Sequence, residues 1–223
     1  MVRIQIDNSL SLGWSKDDIL LAANFEYEYN GVKSLVIGDE NYCPFHWPAT
    51  KVYVLVTLFQ MGAIQDGTYW YHDFDCFQLV PFGQGPDLGT ADMGLTNYGR
   101  MPRLCSASIF FKETAADILW RLKQEVDQSR KGEEEGMARM LHRDEKLQER
   151  VRLLNITWAF HRFNLRSCWR IADQPVKAAH FHLTPDKYAF YVDGDNKLNL
   201  PIIPDRLVNI FHNHGWRRDT IWQ

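Results

Sequence analysis

Two acidic residues separated by one aromatic residue are the part of this sequence best suited to chemistry. Asp73 and Asp75 follow the aromatic-rich run Gly67 to His72, which has the composition of a buried strand. Side chains two positions apart in extended backbone project from the same face. Both carboxylates can therefore bind one hard divalent cation, Mn²⁺ or Mg²⁺, at the rim of a sheet.

The composition is that of one ordinary globular domain. The chain has 223 residues, a formal net charge of −3 and 45% hydrophobic residues, so we expect a single domain over residues 1–223. The longest apolar stretch, Val52 to Met61, is too short to cross a bilayer, and the N-terminus lacks the apolar region of a signal peptide. We expect a cytoplasmic protein with no membrane partner, in the host cytoplasm if the chain is of phage origin. The cysteines form no Cys-x-x-Cys pair, which predicts free thiols.

The first third of the chain predicts alternating strands and helices. Arg3 to Asp7 alternates like a strand, and Ser15 to Asp18 then has the residues of a helix start, with the helix ending at Asn30. Lys33 to Ile37 is a second strand, and we assign Lys51 to Gln60 as a helix because it lies between two predicted strands. The β-α-β-α-β order predicts a parallel sheet covered by helices, with ligands beyond the carboxyl ends of its strands.

The rest of the chain is less regular. Pro81 to Pro102 is rich in glycine and proline and predicts a long loop. Cys105 to Phe111 predicts a further strand, Thr114 to Gln128 a helix, and Ser129 to Arg150 a densely charged stretch of helix formers. We expect the single domain to consist of two halves, over about residues 1–80 and about residues 81–223.

The Asp73-Phe74-Asp75 segment, placed after a strand in this order of elements, resembles the Asp-x-Asp motif of GT-A glycosyltransferases. The resemblance implies an α/β, Rossmann-like domain with a mixed, mostly parallel central sheet flanked by helices. In that family the two acids and a divalent cation hold the diphosphate of a nucleotide sugar, and a histidine on a late strand commonly completes the metal sphere. Val176 to His182 is similar to that late strand. The resemblance therefore implies His180 or His182 as a metal ligand, and the sequence leaves open which of the two.

The same resemblance implies a carboxylate near the reacting sugar. The family often takes it from a helix before the late histidine strand, and Asp144 and Glu145 are the matching pair. One of them would act as the base that takes the proton of the acceptor hydroxyl. The competing interpretation is a solvated acid in a charged helix.

Donor-binding residues follow from position in the predicted sheet. The ends of the first two strands, with Asp7, Asn8 and Asp39, are expected to border the nucleotide, together with Asp73. Tyr42 is a candidate for stacking on the base, and Lys51 for contact with a phosphate. The implied donor is a nucleoside-diphosphate sugar, with UDP as the expected nucleotide.

The acceptor is less clearly indicated. The stretch His161 to Arg170 interleaves arginines with aromatic residues, and Arg162, Arg166 and Trp169 could neutralise phosphates and stack on bases. The compact chain resembles in scale the small bacteriophage transferases that glycosylate hydroxymethylated pyrimidines in DNA. The alternative is that these arginines pair with nearby acids and that the acceptor is a saccharide or a protein side chain.

Two other functional classes compete. A metal-dependent hydrolase or nuclease is suggested by two His-x-His pairs, one at His180 and His182 and the other at His212 and His214. A non-catalytic nucleic-acid-binding module is suggested by the arginine-aromatic clusters, but it leaves the paired carboxylates unexplained.

Overall fold

Mixed sheets with helices packed on them make up the structure. The computed structural model describes residues 1–98, 101–161, 165–181 and 202–216, without the side chains of residues 101, 102, 165 and 166. The helices are α1 (Val2–Ser11), α2 (Thr50–Gln60), α3 (Ala116–Ser129), α4 (Glu133–Arg143), α5 (Glu145–Arg150), α6 (Leu165–Ile171) and α7 (Asp205–Asn213). The strands are β1 (Leu21–Ala23), β2 (Glu28–Tyr29), β3 (Val32–Val36), β4 (Thr68–His72), β5 (Cys76–Gln78), β6 (Met93–Tyr98), β7 (Met101–Lys112), β8 (Val151–Leu153), β9 (Phe160–His161) and β10 (Ala178–His180). Within the described ranges, no helix is both long and apolar enough to cross a membrane.

The described strands form three sheets, ordered β1-β3-β2, β5-β10-β9 and β4-β7-β6-β8. Three neighbouring pairs are parallel, namely β1 with β3, β9 with β10 and β6 with β8. The other pairs are antiparallel. The predicted α/β class with mixed sheets and flanking helices is confirmed. The pairing is less parallel than expected, because β7 has antiparallel neighbours on both sides.

The core lies on both sides of the four-stranded sheet. Helices α2, α3 and α4 cover one face, where side chains such as Val52, Ile109 and Leu122 are buried. A second cluster, which includes Phe110 and Cys105, fills the other face. A third joins α1, α6 and α7 to the sheet that contains β5 and β10. The chain therefore connects two separately covered sheets, and the segment between β4 and β5 runs from one to the other.

The predicted strand Arg3 to Asp7 is wrong, because these residues lie in helix α1. The alternating pattern is compatible with either structure, and tertiary contacts favour the helix. On α1 the Gln5 amide donates to the carbonyls of Phe74 and Cys76 at 2.9 and 3.0 Å, and the Asn8 amide donates to the carbonyl of Gln78 at 3.0 Å. The carbonyls of Cys76 and Gln78 lie along one edge of β5, and that of Phe74 lies just before the strand. The other edge of β5 pairs with β10. Helix α1 thus satisfies backbone acceptors that an edge strand would otherwise leave open.

The predicted helix after Ser15 is also wrong beyond its first turn. A 3-10 helix covers Lys16–Asp18, capped by Ser15, and the chain then extends into strand β1. β1 pairs with β3 in parallel, and this pairing takes the place of helix extension. The strand predicted at Lys33 to Ile37 and the helix predicted at Lys51 to Gln60 are confirmed as β3 and α2.

The predicted loop from Pro81 to Pro102 contains strand β6, which pairs with β7 and β8. The strand at Cys105 to Phe111 and the helix at Thr114 to Gln128 are confirmed as β7 and α3. Pairing between β6 and β7 is irregular, since Leu95 is opposite Ile109 but the next residue, Thr96, is opposite Cys105. Such a bulge bends the strand and changes the direction of its side chains. It places Ser106 beside the candidate active site.

Candidate active site

The acidic pair lies on the turn between β4 and β5, where the two sheets meet. The backbone N–H of Cys76 donates to the carbonyl of Asp73 at 2.9 Å and closes the turn. The N–H of Asp73 donates to the carbonyl of Ala107 on β7 at 2.9 Å, and Gln5 binds the turn from the other side. Phe74, between the two acids, is half exposed. Hydrogen bonds from two elements therefore hold both carboxylates in place.

A histidine joins this pair. Asp73, Asp75 and His180 each contribute one ligand atom, and these three atoms all lie within 4.8 Å of one another. The Nε2 atom of His180 is 3.3 Å from a carboxylate oxygen of Asp75. His180 ends strand β10, which is paired with β5, and the N–H of Phe181 donates to the carbonyl of Asp75 at 2.9 Å. Strand pairing thus brings the late histidine to the acidic turn.

Two oxygens and one imidazole nitrogen form a donor set that suits a divalent cation. Carboxylate oxygens are preferred by Mg²⁺ and Mn²⁺, and imidazole is accepted by Mn²⁺ and other transition metals. The side chains of Asp73 and Asp75 are 27% and 28% exposed, whereas that of His180 is 6% exposed. The site is therefore open on its carboxylate side, where a ligand can enter.

A buried lysine contacts the first acid. Lys51 Nζ lies 2.8 Å from Asp73 and 3.3 Å from Glu133, the first residue of α4. It also donates to the Ser106 hydroxyl at 3.2 Å, and that hydroxyl donates to Glu133 at 2.7 Å. Burial by itself lowers the pKa of Lys51, but the charges of Asp73 and Glu133 outweigh it and the net pKa is raised. Lys51 is therefore a charged lysine held between two acids.

Glu133 lies on the other side of Lys51 from Asp73, and its pKa is shifted in the opposite direction to that of Lys51. Burial raises the pKa of Glu133, but Lys51 and the Ser106 hydrogen bond outweigh this and lower it. Its neighbour Glu134 accepts from the Tyr98 hydroxyl at 2.8 Å and from Arg103 at 2.9 Å. Both acids at the start of α4 are thus linked to the site through Ser106 in the bulge of β7.

His180 is held by both ring nitrogens. Nδ1 lies 3.9 Å from the sulfur of Cys105, on the side of the ring opposite Asp75. Burial lowers the pKa of His180, but the hydrogen bonds with Asp75 and Cys105 outweigh burial and raise it to about 10. Asp75 on one edge of the ring and Cys105 on the other thus both favour its protonated form.

The structure brings some of the predicted site residues together. Asp73, Asp75, His180 and Lys51 form one contact network. Asp39 follows β3 and accepts from the amide of Asn24, which follows β1, at 2.7 Å. The carboxyl ends of these two parallel strands are therefore adjacent, but β1 is not the strand that the sequence predicted at Arg3 to Asp7. Tyr42 lies in the same segment and is partly buried.

Other predicted residues lie in structural contacts. Asp7 does not follow a strand: on α1 it accepts from Tyr29 at 3.0 Å and contacts His214 at 2.7 Å. Asn8 is buried and accepts from Arg206 of α7 at 2.7 Å. These two residues join α1 to the β2-β3 hairpin and to α7.

The predicted catalytic pair lies on the surface. Asp144 caps α5 by accepting from the N–H of Leu147 at 3.1 Å, and it pairs with Arg121 at 2.7 Å. Its hydrogen bonds with Arg121 and the backbone lower its pKa. Glu145 is the exposed first residue of α5. Neither acid has a contact with the Asp73 network among the described residues.

Of the predicted acceptor residues, Trp169 lies on α6 and packs edge-on against Phe160, with ring centroids 5.9 Å apart. Arg162 and His182 lie outside the described residues, as does the side chain of Arg166. The second His-x-His pair lies at the end of α7, where His214 contacts Asp7 rather than the acidic turn.

Sequence reasoning missed Ser106, Glu133, Glu134 and Cys105. A partial signal was available, since Cys105 to Ser108 is a run of small residues inside a strand and such runs accompany bulges and close contacts. Nothing in the local sequence indicates that Glu133 reaches Lys51, which lies 82 positions earlier in the chain.

No protein-family model matches the chain, and no curated protein matches its sequence. Among solved structures, the galactosyltransferase LgtC in complex with donor and acceptor sugar analogs is 14% identical, with a TM-score of 0.53 over 81% of this chain and 80% of that one. An active-site mutant of LgtC is 13% identical, with a TM-score of 0.54 over 85% and 79%. A glycosyltransferase involved in glycosylation of the major capsid of PBCV-1 is 7% identical, with a TM-score of 0.49 over 79% and 81%. The LgtC likenesses identify the architecture: the chain has the fold of the GT-A glycosyltransferases.

Proposed function

We propose that this protein is a metal-dependent glycosyltransferase that moves a sugar from a nucleoside-diphosphate sugar, with UDP as the nucleotide, to an acceptor hydroxyl. The observation that carries the proposal is the cluster of Asp73, Asp75 and His180 on a GT-A fold. Asp73 directly follows the carboxyl end of β4, at the rim of the four-stranded sheet.

Asp73, Asp75 and His180 would hold the cation, Mn²⁺ or Mg²⁺. When bound, the cation neutralises negative charge that develops on the diphosphate leaving group. The carboxylates of Asp73 and Asp75 are partly exposed and leave room for phosphate oxygens, while buried His180 closes the inner side of the site.

Lys51 supports the same task from the protein side. Its ammonium lies 2.8 Å from Asp73, so it orients that carboxylate and adds a second positive charge near the diphosphate. A preorganised charge in a partly dry site stabilises a transition state more strongly than the same charge in water. Ser106 and Glu133 keep Lys51 in this position.

The nucleoside is expected beside the ends of β1 and β3. Asn24 and Asp39 are joined there by a hydrogen bond, and both can bind ribose hydroxyls or base edges. Phe25, at the end of β1, is 59% exposed, and with Tyr42 it offers an aromatic surface for a base.

We assign the acids that act near the sugar to Glu133 and Glu134 in preference to Asp144 and Glu145. The first two are connected to Asp73 through Lys51 and Ser106. Asp144 instead caps a surface helix and is neutralised by Arg121.

A saccharide is the acceptor that the charge pattern favours. The chain as a whole has a formal net charge of −3. A net negative protein offers no general attraction to the phosphates of DNA, whereas a neutral sugar is indifferent to that charge. Trp47, four positions before Lys51 in the chain, is 84% exposed and is a candidate aromatic surface for a sugar ring. A hydroxymethylated pyrimidine in DNA is the competing acceptor.

The test is hydrolysis and transfer with a panel of nucleoside-diphosphate sugars, with Mn²⁺, with Mg²⁺ and with a chelator. Turnover of one donor only with cation is expected, and both Asp73→Asn and Asp75→Asn should lose at least about 100-fold, since loss of an outer-shell partner alone typically costs 10–100-fold. Asp17→Asn, an exposed acid in the 3-10 helix, is the matched control and should keep full activity.

Three further arms separate the alternatives. Glu133→Gln and Glu134→Gln should lower turnover while Asp144→Asn keeps it, and the opposite order would favour the surface acids. Adding oligosaccharides or hydroxymethylated DNA identifies the acceptor by which one receives the sugar. Cation-independent turnover, or cleavage of DNA with no donor sugar, would contradict the proposal.

A further inference from the structure

His180 lies between two different groups, and each faces one ring nitrogen. Nε2 is 3.3 Å from Asp75, a member of the cation cluster, whereas Nδ1 is 3.9 Å from Cys105 Sγ. Cys105 has no exposed surface and His180 is 5% exposed. The ring is therefore confined, and its orientation is set by what each edge contacts.

Cation binding at Nε2 requires a lone pair on that atom. A neutral imidazole carries one proton, so a ring that binds through Nε2 must carry the proton on Nδ1. Nδ1–H then needs an acceptor, because an unsatisfied buried donor is costly. The thiol of Cys105 lies at hydrogen-bonding distance from Nδ1.

We propose that Cys105 is a positioning residue for the metal centre: its sulfur accepts the Nδ1 proton of His180 and so directs the Nε2 lone pair at the cation. Metal-bound histidines usually donate their second nitrogen to a carboxylate, a carbonyl or water. A thiol in this place is a weaker and longer-range acceptor, which matches the 3.9 Å separation. The inference rests on the proposed metal site and adds a residue that the donor set does not contain.

The bulge in β7 explains why Cys105 is in position. Pairing jumps from Ile109 to Cys105 as β6 advances by one residue. Cys105 then points to the face that packs against β5 and β10, in the same cluster as Cys76 and Ala178. The next residue, Ser106, contacts Lys51 instead. The same bulge thus places Cys105 beside His180 and Ser106 beside Lys51, on two sides of the proposed cation site.

The experiment measures Mn²⁺ affinity without donor, from the electron paramagnetic resonance signal of free Mn²⁺. We expect Cys105→Ala to bind Mn²⁺ about 10–100-fold more weakly, the usual effect of removing an outer-shell partner. Cys105→Ser, which keeps a hydrogen-bonding group, should recover part of that loss. Cys168→Ala is the matched control, because Cys168 is equally buried but lies on α6 in a different core cluster, and it should bind Mn²⁺ as the wild type does.

A second readout follows the ring itself. With Mg²⁺ bound, ¹⁵N NMR of His180 should show Nδ1 protonated in the wild type, with a ¹⁵Nδ1 shift that reports its hydrogen bond to the Cys105 sulfur. Cys105→Ala should move the ¹⁵Nδ1 signal of the bound state, and a purely structural role of the thiol would leave that signal unchanged. Far-UV circular dichroism establishes that each variant is folded before it is titrated.

The outcomes are distinguishable from failure of the metal site. If His180→Ala binds Mn²⁺ as tightly as the wild type, the metal site itself is refuted. If His180→Ala weakens binding but Cys105→Ala does not, only the role of Cys105 is refuted. Equal losses in Cys105→Ala and Cys168→Ala would also refute it, since packing would then explain the effect.

Discussion

At the scale of single residues, the site depends on Lys51, which is buried and positively charged. Lys51 and Glu133 have side chains only 7% and 6% exposed, 3.3 Å apart, and Asp73 completes the arrangement. A buried ion pair adds little net stability compared with apolar residues, but removing one member leaves the other charge buried without its partner. Stability and site geometry are therefore coupled through this one lysine.

The Lys51→Met variant should be destabilised by about 3–5 kcal/mol, because Glu133 loses its counter-charge in a buried position. Urea unfolding followed by tryptophan fluorescence measures this change. The double variant Lys51→Met with Glu133→Gln should recover part of the loss. A Lys51→Met protein as stable as the wild type would show that the pair is solvated.

The same pair predicts how stability changes with pH. The pKa of Glu133 is lowered in the folded state, so its contribution is present above its unfolded pKa and is lost as the pH falls through the folded value, below about pH 5. Lys51 has a raised pKa, so its contribution is lost only as the pH rises through that value, in the strongly alkaline range. Urea midpoints between pH 3 and pH 7 should therefore fall less steeply for Glu133→Gln than for the wild type. Parallel curves would contradict this prediction.

At the scale of elements, helix α1 supports the acidic turn. Its amides at Gln5 and Asn8 follow the free edge of β5 from Phe74 to Gln78, so the helix fixes the backbone that carries the carboxylates. Arg206 of α7 binds Asn8 and the carbonyl of Leu79 at 3.2 Å. Two helices from opposite ends of the described chain thus stabilise one strand edge.

Replacing Gln5 by leucine of similar size should cost about 1–3 kcal/mol, because two buried carbonyls lose their donor. It should also weaken Mn²⁺ binding, since the turn between Asp73 and Asp75 becomes less constrained. Thermal unfolding and Mn²⁺ titration measure the two effects. Arg3→Gln, on the exposed face of the same helix, should change neither the stability nor the Mn²⁺ affinity. An effect of Arg3→Gln as large as that of the Gln5 variant would show that α1 acts only through its helicity.

At the scale of the whole molecule, the site lies where two sheets meet. Asp73 directly follows β4, a strand of the four-stranded sheet, whereas His180 belongs to the sheet of β5, β10 and β9. Donor and cation together would therefore bridge two packing units with separate cores. Ligand that binds only the folded state stabilises the molecule by mass action.

A nucleotide sugar at about 100 times its Kd, with Mn²⁺, should raise the free energy of unfolding by about 2.7 kcal/mol. For a chain of this size each kcal/mol corresponds to roughly 2–4 °C in Tm. Differential scanning fluorimetry should show this shift for one nucleotide and its loss on chelation. In Asp75→Asn the same ligand should give little or no shift, and an undiminished shift would place the nucleotide elsewhere.

The local sequence determined the features that depend on neighbours in the chain. The Asp73 and Asp75 pair, the helix at Lys51 to Gln60 and the strands at Lys33 to Ile37 and Cys105 to Phe111 follow from spacing and side-chain type, which act over a few residues. The GT-A fold class was predictable because the resemblance rested on an acidic turn after a strand. The structure also places His180 beside Asp75, whereas His182 lies outside the described residues.

The tertiary structure alone decided the rest. Residues Arg3 to Asp7 alternate like a strand, yet they form a helix because the edge of β5, about 70 positions away, needs donors. Glu133 rather than Asp144 is connected to the site, because a bulge in β7 aligns Ser106 with Lys51. These contacts join distant parts of the chain, and their free energy appears only when sheets and helices pack, so no local pattern records them.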